Sequence, residues 1–204
     1  MTGQLTSEDF KRFFHYYEGM EHQQEGIEEL WRRMPVDLLR DDCLWVKLYR
    51  TPKTSEYNPG HINAEGINLI KQWEGLRTEA YICPAGVVTV GYGSTGDYVH
   101  LGMSITETEA EVLLMQDLER FEDCVNQDIK VALTSNQFSA LVSWTFNLGC
   151  GALHESTLRR RLNEGQDIET VIRQEFPKWV YAGGQILEGL VNRRNAEIAL
   201  ACKP

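Results

Sequence analysis

Glu74, Cys83 and Thr89 are the residues whose types and spacing suit chemistry. Cys83 lies nine residues after Glu74, and Thr89 lies fifteen after it, within the stretch Trp73 to Thr95, WEGLRTEAYICPAGVVTVGYGST. A glutamate at the C-terminal end of a helix meets the negative end of the helix dipole. That penalty, with partial burial, raises a carboxyl pKa, as a general acid working near neutral pH requires. The plain alternative is a solvated acid at a helix end. Cleavage of a glycosidic bond is one reaction that uses such an acid, together with a base or nucleophile opposite it. The stretch holds no obvious second carboxylate, because Glu79 is expected ahead of a strand and facing solvent. A Cys83 thiolate can act as base or nucleophile if its pKa is lowered. The Thr89 hydroxyl can hold a water but is a poor base unaided. Cysteine peptidase or amidase chemistry at Cys83 would need a histidine, and His100 is the one close in sequence.

The elements that must position these residues follow from periodicity. Asn63 can cap a helix that carries Glu65 early and Ile67 and Ile70 on one face, ending at Glu74–Gly75, with Gly75 suited to the left-handed C-terminal position. Tyr81–Ile82 and Val87–Val90 read as two short strands around an Ala85–Gly86 turn. Thr106 with Glu109 forms a capping box for a helix reaching about Asn126, with Val112, Leu113, Met115, Leu118 and Phe121 as its apolar side. A helix starting at Thr134 or Ser135 buries Phe138, Leu141, Val142, Thr145 and Phe146, and Gly149 to Gly151 stops it. Shorter helices are expected over 156–163 and over 168–176 before Pro177. A Gly183–Gly184 turn precedes a last helix from about Leu187 to Ala201.

The first 50 residues read as a separate small unit of three helices, and 51–61, TPKTSEYNPGH, as a linker rich in proline and small polar residues. The fold class is therefore α+β: a small β-hairpin lobe and a larger helical lobe over 62–204, preceded by a helical accessory unit. Wall binding, support of the second domain and other roles all remain open for that unit.

Composition narrows the function. The 204 residues carry a formal net charge of −10, which argues against a nucleic-acid partner held by phosphate contacts. The N-terminus has no secretory signal pattern, and no apolar stretch approaches the length of a membrane span. The five cysteines are odd in number and widely spaced, and are expected as reduced, mostly buried thiols. No metal-ligand spacing appears, and neither metal nor cofactor is expected.

The pattern E-G-x-x-x-x-x-Y-x-C-P-A-G-V-x-T-x-G-Y-G-x-T, which starts at Glu74, resembles the phage-type lysozymes, the endolysin muramidases of glycoside hydrolase family 24. The segments NQFSALVSWTFNLG, STLRRRLN, FPKWVYAGGQILEGLVNRR and AEIALA resemble that family's helical lobe in order, so the likeness covers about Ile62 to Ala201. It implies a lysozyme-like fold with a cleft between the two lobes. It also implies Glu74 as the acid, Cys83 as its catalytic partner and Thr89 as a water-positioning hydroxyl, with Tyr92, Phe146, Asn147 and Trp179 on the saccharide. The family more often has Asp at the position of Cys83 and, in many members, His at that of Ser94. The resemblance leaves open whether Cys83 is base, nucleophile or neither. Arg193 and Arg194 are expected to be structural, pairing with acids such as Glu197. The implied activity is hydrolysis of the β-1,4 bond between N-acetylmuramic acid and N-acetylglucosamine in peptidoglycan, with bacterial lysis as its role. The rival is an inactive peptidoglycan-binding protein on the same fold. The expected setting is a monomer without stable membrane insertion, made in the cytoplasm of a phage-infected bacterium and released to the wall through a holin.

Overall fold

The computed structural model describes residues 60–84 and 86–203. The helical unit expected over 1–50, and the expected linker as far as Pro59, lie outside the described residues. Gly60 and His61 belong with the domain that follows. Asn126 Nδ2 donates to the Gly60 carbonyl at 3.0 Å, and His61 Nδ1 lies 2.8 Å from Glu122 Oε2. The linker expected to reach residue 61 is thus tied to a helix before it ends.

Helix α1 (Ala64–Glu74) starts where Asn63 Oδ1 accepts from the Gly66 amide at 2.9 Å. The same cap residue is tied to a second helix, since its amide donates to Ser139 Oγ at 2.9 Å and its Nδ2 to Asn136 Oδ1 at 2.8 Å. Gly66 is required at this crossing, where an added Cβ would lie 2.7 Å from both Ser139 Cβ and Ile62 Cγ1. At the other end Gly75 takes φ 71° and ψ 149°. The positive φ favours glycine, but the ψ is extended rather than left-handed helical, so the chain leaves α1 directly toward a strand.

That strand, β1 (Arg77–Ile82), pairs antiparallel with β2 (Val88–Gly91), with Arg77 opposite Gly91, Tyr81 opposite Thr89 and Ile82 opposite Val88. β1 is longer than the expected Tyr81–Ile82 and includes Glu79. Its first residues gain backbone partners beyond β2, because Ala80 N donates to the Met103 carbonyl at 2.9 Å and Ile105 N to that of Thr78 at 2.8 Å. These bonds are non-local and leave no alternation pattern in the sequence.

Helix α2 (Glu107–Asp128) opens with the full capping box of Thr106 and Glu109. It packs against β2, and also on α3 (Ser135–Leu148) and α4 (Cys150–Glu155). Its buried stripe runs through Ala110, Leu114, Leu118 and Val125. Leu113, expected in that stripe, is half-buried. One residue turns a helix by about 100°, which moves Leu113 to the flank and puts Leu114 at the centre. α3 begins at its own capping box, Thr134 with Gln137, and is the central helix, burying every residue from Phe138 to Thr145. Gly149 ends it, but Gly151 does not extend the break, since α4 starts at Cys150.

Cys124 of α2 and Cys150 of α4 form a disulfide with Cα atoms 5.8 Å apart. The expectation of reduced thiols is corrected for this pair: the contact of α2 with α4 brings together two cysteines that no short spacing links. Cys83 and Cys202, outside the disulfide, are part-exposed rather than buried. Helices α5 (Thr157–Asn163) and α6 (Ile168–Glu175) follow. Pro177 sits inside a 3-10 turn over Phe176–Lys178, at a first-turn position that needs no N–H donor. A two-residue hairpin, β3 (Tyr181–Ala182) with β4 (Gln185–Ile186), leads into α7 (Glu188–Ala201), which lies along α3.

Candidate active site

Glu74 is the last residue of α1, with its side chain 25% exposed. Arg193 of α7 donates from Nη1 to Glu74 Oε1 at 2.7 Å, a contact between residues 119 positions apart. The expected surroundings were a helix dipole and partial burial alone, and the structure adds a guanidinium. Arg193 is itself 4% exposed. Its Nε lies 3.2 Å from Glu197 Oε1, and its Nη2 lies 3.4 Å from the Ser143 carbonyl of α3. All three nitrogens of the fork are therefore engaged, and Nη1 is the one that meets Glu74.

Behind Arg193 lies a buried polar cluster. Glu197 has no exposed surface. Its Oε1 accepts from Ser143 Oγ at 2.8 Å and from Arg194 Nη2 at 3.2 Å. Its Oε2 lies 2.9 Å from Arg194 Nε, near enough for an ion pair but outside hydrogen-bond geometry. Burial pushes the Glu197 carboxyl above the usual range, while Arg194, Arg193 and Ser143 act against that rise. Burial likewise lowers Arg194. The pairing expected of Arg193 and Arg194 with Glu197 is present. The contacts of Arg193 with Glu74, of Ser143 with Glu197 and of Arg194 with Asn147 are those that sequence reasoning missed, because no local pattern signals them.

Cys83 and Thr89 belong to the β1–β2 hairpin. The Cys83 amide donates to the Val87 carbonyl at 2.9 Å, extending the ladder one step past Ile82, and the Gly86 amide turns back to the Cys83 carbonyl at 2.8 Å. Residues directly opposite in an antiparallel pair share a face, as do residues two apart on one strand. Tyr81 opposes Thr89, so Tyr81, Thr89 and Cys83 lie on one face of the hairpin. Thr89 is 4% exposed, and its Oγ1 donates to the Val87 carbonyl at 3.1 Å. Its oxygen lone pairs are therefore the groups it can offer to another donor. Glu79, on β1, is exposed as expected. His100 is exposed, with Nδ1 3.3 Å from the Leu101 carbonyl oxygen.

The four expected saccharide contacts divide. Asn147 is half-buried, and its Oδ1 accepts from Arg194 Nη2 at 2.9 Å, which ties it to the same cluster. Phe146 is half-buried with its ring 5.0 Å from that of Phe121, and Trp179 half-buried, edge-on to Trp144 at 5.1 Å. Both use part of the ring for packing and keep part exposed. Tyr92 is only 3% exposed, with Lys71 Nζ 5.5 Å from its ring centroid, and burial raises its hydroxyl pKa. The structure thus puts Tyr92 in the core rather than on an open wall. Among the described residues no group of three or more His, Cys, Asp or Glu is placed to hold a metal ion.

A family model described as phage lysozyme matches residues 71–197. An endolysin of Bacillus phage PZA is 45% identical over 141 residues, covering 68% of this chain and 54% of that protein. An endolysin of Acyrthosiphon pisum secondary endosymbiont phage 1 is 42% identical over 144 residues, covering 69% of this chain and 97% of that one. The solved muramidase domain of SpmX from Asticaccaulis excentricus superposes with a TM-score of 0.65 at 37% identity, over 71% of this chain and 99% of that domain. The chain spans about half the length of the Bacillus phage endolysin that it matches.

Proposed function

Because the chain belongs to the phage lysozyme family, we propose that it is a muramidase that hydrolyses the β-1,4 bond between N-acetylmuramic acid and N-acetylglucosamine in peptidoglycan. The observation that carries this reading is the contact of Arg193 with Glu74: Nη1 engages Oε1 at 2.7 Å, which leaves Oε2 to carry a proton toward substrate. In the reaction Glu74 protonates the leaving glycosidic oxygen as the bond to the sugar carbon breaks, and a water ends on that carbon as the new hydroxyl, its other proton passing to the opposing base or back to the Glu74 carboxylate. Cys83 and Thr89 supply the opposing face. Thr89 accepts a hydrogen bond from the incoming water. Cys83 offers a thiolate as base or nucleophile, or fills the place of a carboxylate.

The proposed substrate lies between the hairpin and the helical lobe, reaching Asn147 and the exposed parts of Phe146 and Trp179. A glycan strand has several sugars to place along such a cleft. Exposed Tyr81 and Tyr181 add aromatic surface on the two hairpins. The proposed setting is a phage-infected bacterium, with synthesis in the cytoplasm and release to the wall through a holin. Among the described residues no helix is long and apolar enough to cross a membrane.

The test is digestion of purified peptidoglycan followed by mass spectrometry. New reducing ends on muramic acid support the muramidase. New amine termini would mean amidase or peptidase chemistry at Cys83. Binding without products would favour the inactive wall-binding protein.

A further inference from the structure

We infer that Glu197 is a positioning residue for the general acid, acting on Glu74 through the Arg193 guanidinium that the two carboxylates share. The inference rests on the muramidase reading and concerns a residue that never touches substrate. Arg193 presents Nη1 to Glu74 at 2.7 Å and Nε to Glu197 at 3.2 Å, so one planar fork is held from both sides. Glu197 is in turn held by Ser143 Oγ at 2.8 Å from α3 and by Arg194 from its own helix.

A general acid must carry a proton when substrate binds, and an arginine bound to one carboxylate alone favours its ionised form. Glu197 takes the Nε side of the same guanidinium from within the core. Arg193 is divided between an inner acid, which its Nε meets, and the working one, which its Nη1 meets. Glu197 also fixes the torsions of Arg193, so that Nη1 points at Glu74 Oε1 and keeps Oε2 for the reaction. The charged and polar groups facing Glu197 are Arg193 and Arg194 on α7 and Ser143 on α3. Asn147 meets the same Arg194 Nη2 that reaches Glu197, and Glu74 of α1 meets Arg193 Nη1, away from the Nε that meets Glu197.

The experiment uses the full chain and counts reducing ends released from peptidoglycan across pH for wild type, Glu197→Gln, and Glu197→Gln with Arg194→Met. Glu197→Gln is nearly isosteric but strands a buried cation. The second substitution removes the stranded charge, and thermal melting shows that the double variant folds. The expected result is that kcat falls by between about tenfold and a hundredfold in both variants, with KM little changed. A double variant that melts like wild type and recovers its kcat would overturn the inference, since Glu197 would then only neutralise Arg194. A wild type that releases no reducing ends would overturn the muramidase reading and this inference with it. A wild type that is active and matched by Glu197→Gln overturns this inference alone.

Discussion

The disulfide between Cys124 and Cys150 gives a prediction whose size follows from its place in the chain. It joins α2 to α4 across 26 residues. In the chain-entropy description, closing a loop of that length restricts the unfolded ensemble by about 3.5 kcal/mol near room temperature. A domain of this size loses roughly 2–4 °C of melting temperature per kcal/mol. The double variant Cys124→Ser, Cys150→Ser should therefore melt roughly 7–14 °C below the oxidised wild type. Neither helix carries Glu74, Cys83 or Thr89, so the loss should appear in stability. The assay is thermal melting of wild type with and without reductant, beside the double variant, with a peptide map under non-reducing conditions. Reduced wild type should fall to the melting temperature of the double variant. An oxidised wild type that melts within about 2 °C of the double variant would refute the entropic reasoning. A map showing both cysteines open to alkylation would refute the bond itself.

Three further outcomes follow from single residues. Leu114 is fully buried, so Leu114→Ala should cost about 3 kcal/mol by denaturant unfolding, and Leu113→Ala on the flank about 1 kcal/mol; the reverse order would contradict the phase assigned to α2. Burial pushes the Glu175 carboxyl up, but Lys178 and Arg161 outweigh it and hold the group below its ordinary value of 4.5. Its stabilising effect is therefore present above that value and lost as pH falls through the lowered one. Stability curves of wild type and Glu175→Gln should be separated at neutral pH and converge below about pH 4.5, and a constant gap would contradict the sign. Cys83→Asp should keep activity within about tenfold of wild type and lose sensitivity to iodoacetamide, against which substrate protects the wild type. Equal inhibition of the two proteins would remove the Cys83 thiol as the target.

What could be read from the residues alone was local. Asn63, and Thr106 with Glu109, announce helix starts because capping is settled within four residues, and the structure has both of these caps; of Thr134 and Ser135 the structure takes Thr134 as the cap, with Gln137 completing the box. The hairpin and its glycines are equally local. The length of β1 was not legible, because its extra partners come from Thr78 to Ile105 and Ala80 to Met103 pairings. The contact of Arg193 with Glu74 and the Cys124–Cys150 bond depend on how distant helices meet, which no spacing records. Leu113 and Leu114 are adjacent and identical in type, so only the angular position of α2 separates them. Glu74, Cys83 and Thr89 were singled out as a group by their resemblance to a family pattern. The buried cluster behind Glu74 was visible only as a pairing within α7. Tyr92 shows the limit of that route, since a position within a matched pattern does not say whether its ring faces the cleft or the core.

The central claim is that the carboxyl of Glu74, held by Arg193, delivers the proton that breaks the glycan chain. The most direct test is the rate of reducing-end release from purified peptidoglycan by wild type and by Glu74→Gln, with both proteins shown to melt cooperatively. The account predicts that Glu74→Gln loses between about a hundredfold and ten-thousandfold of the wild-type rate. A Glu74→Gln variant that cleaves peptidoglycan as fast as wild type would contradict it.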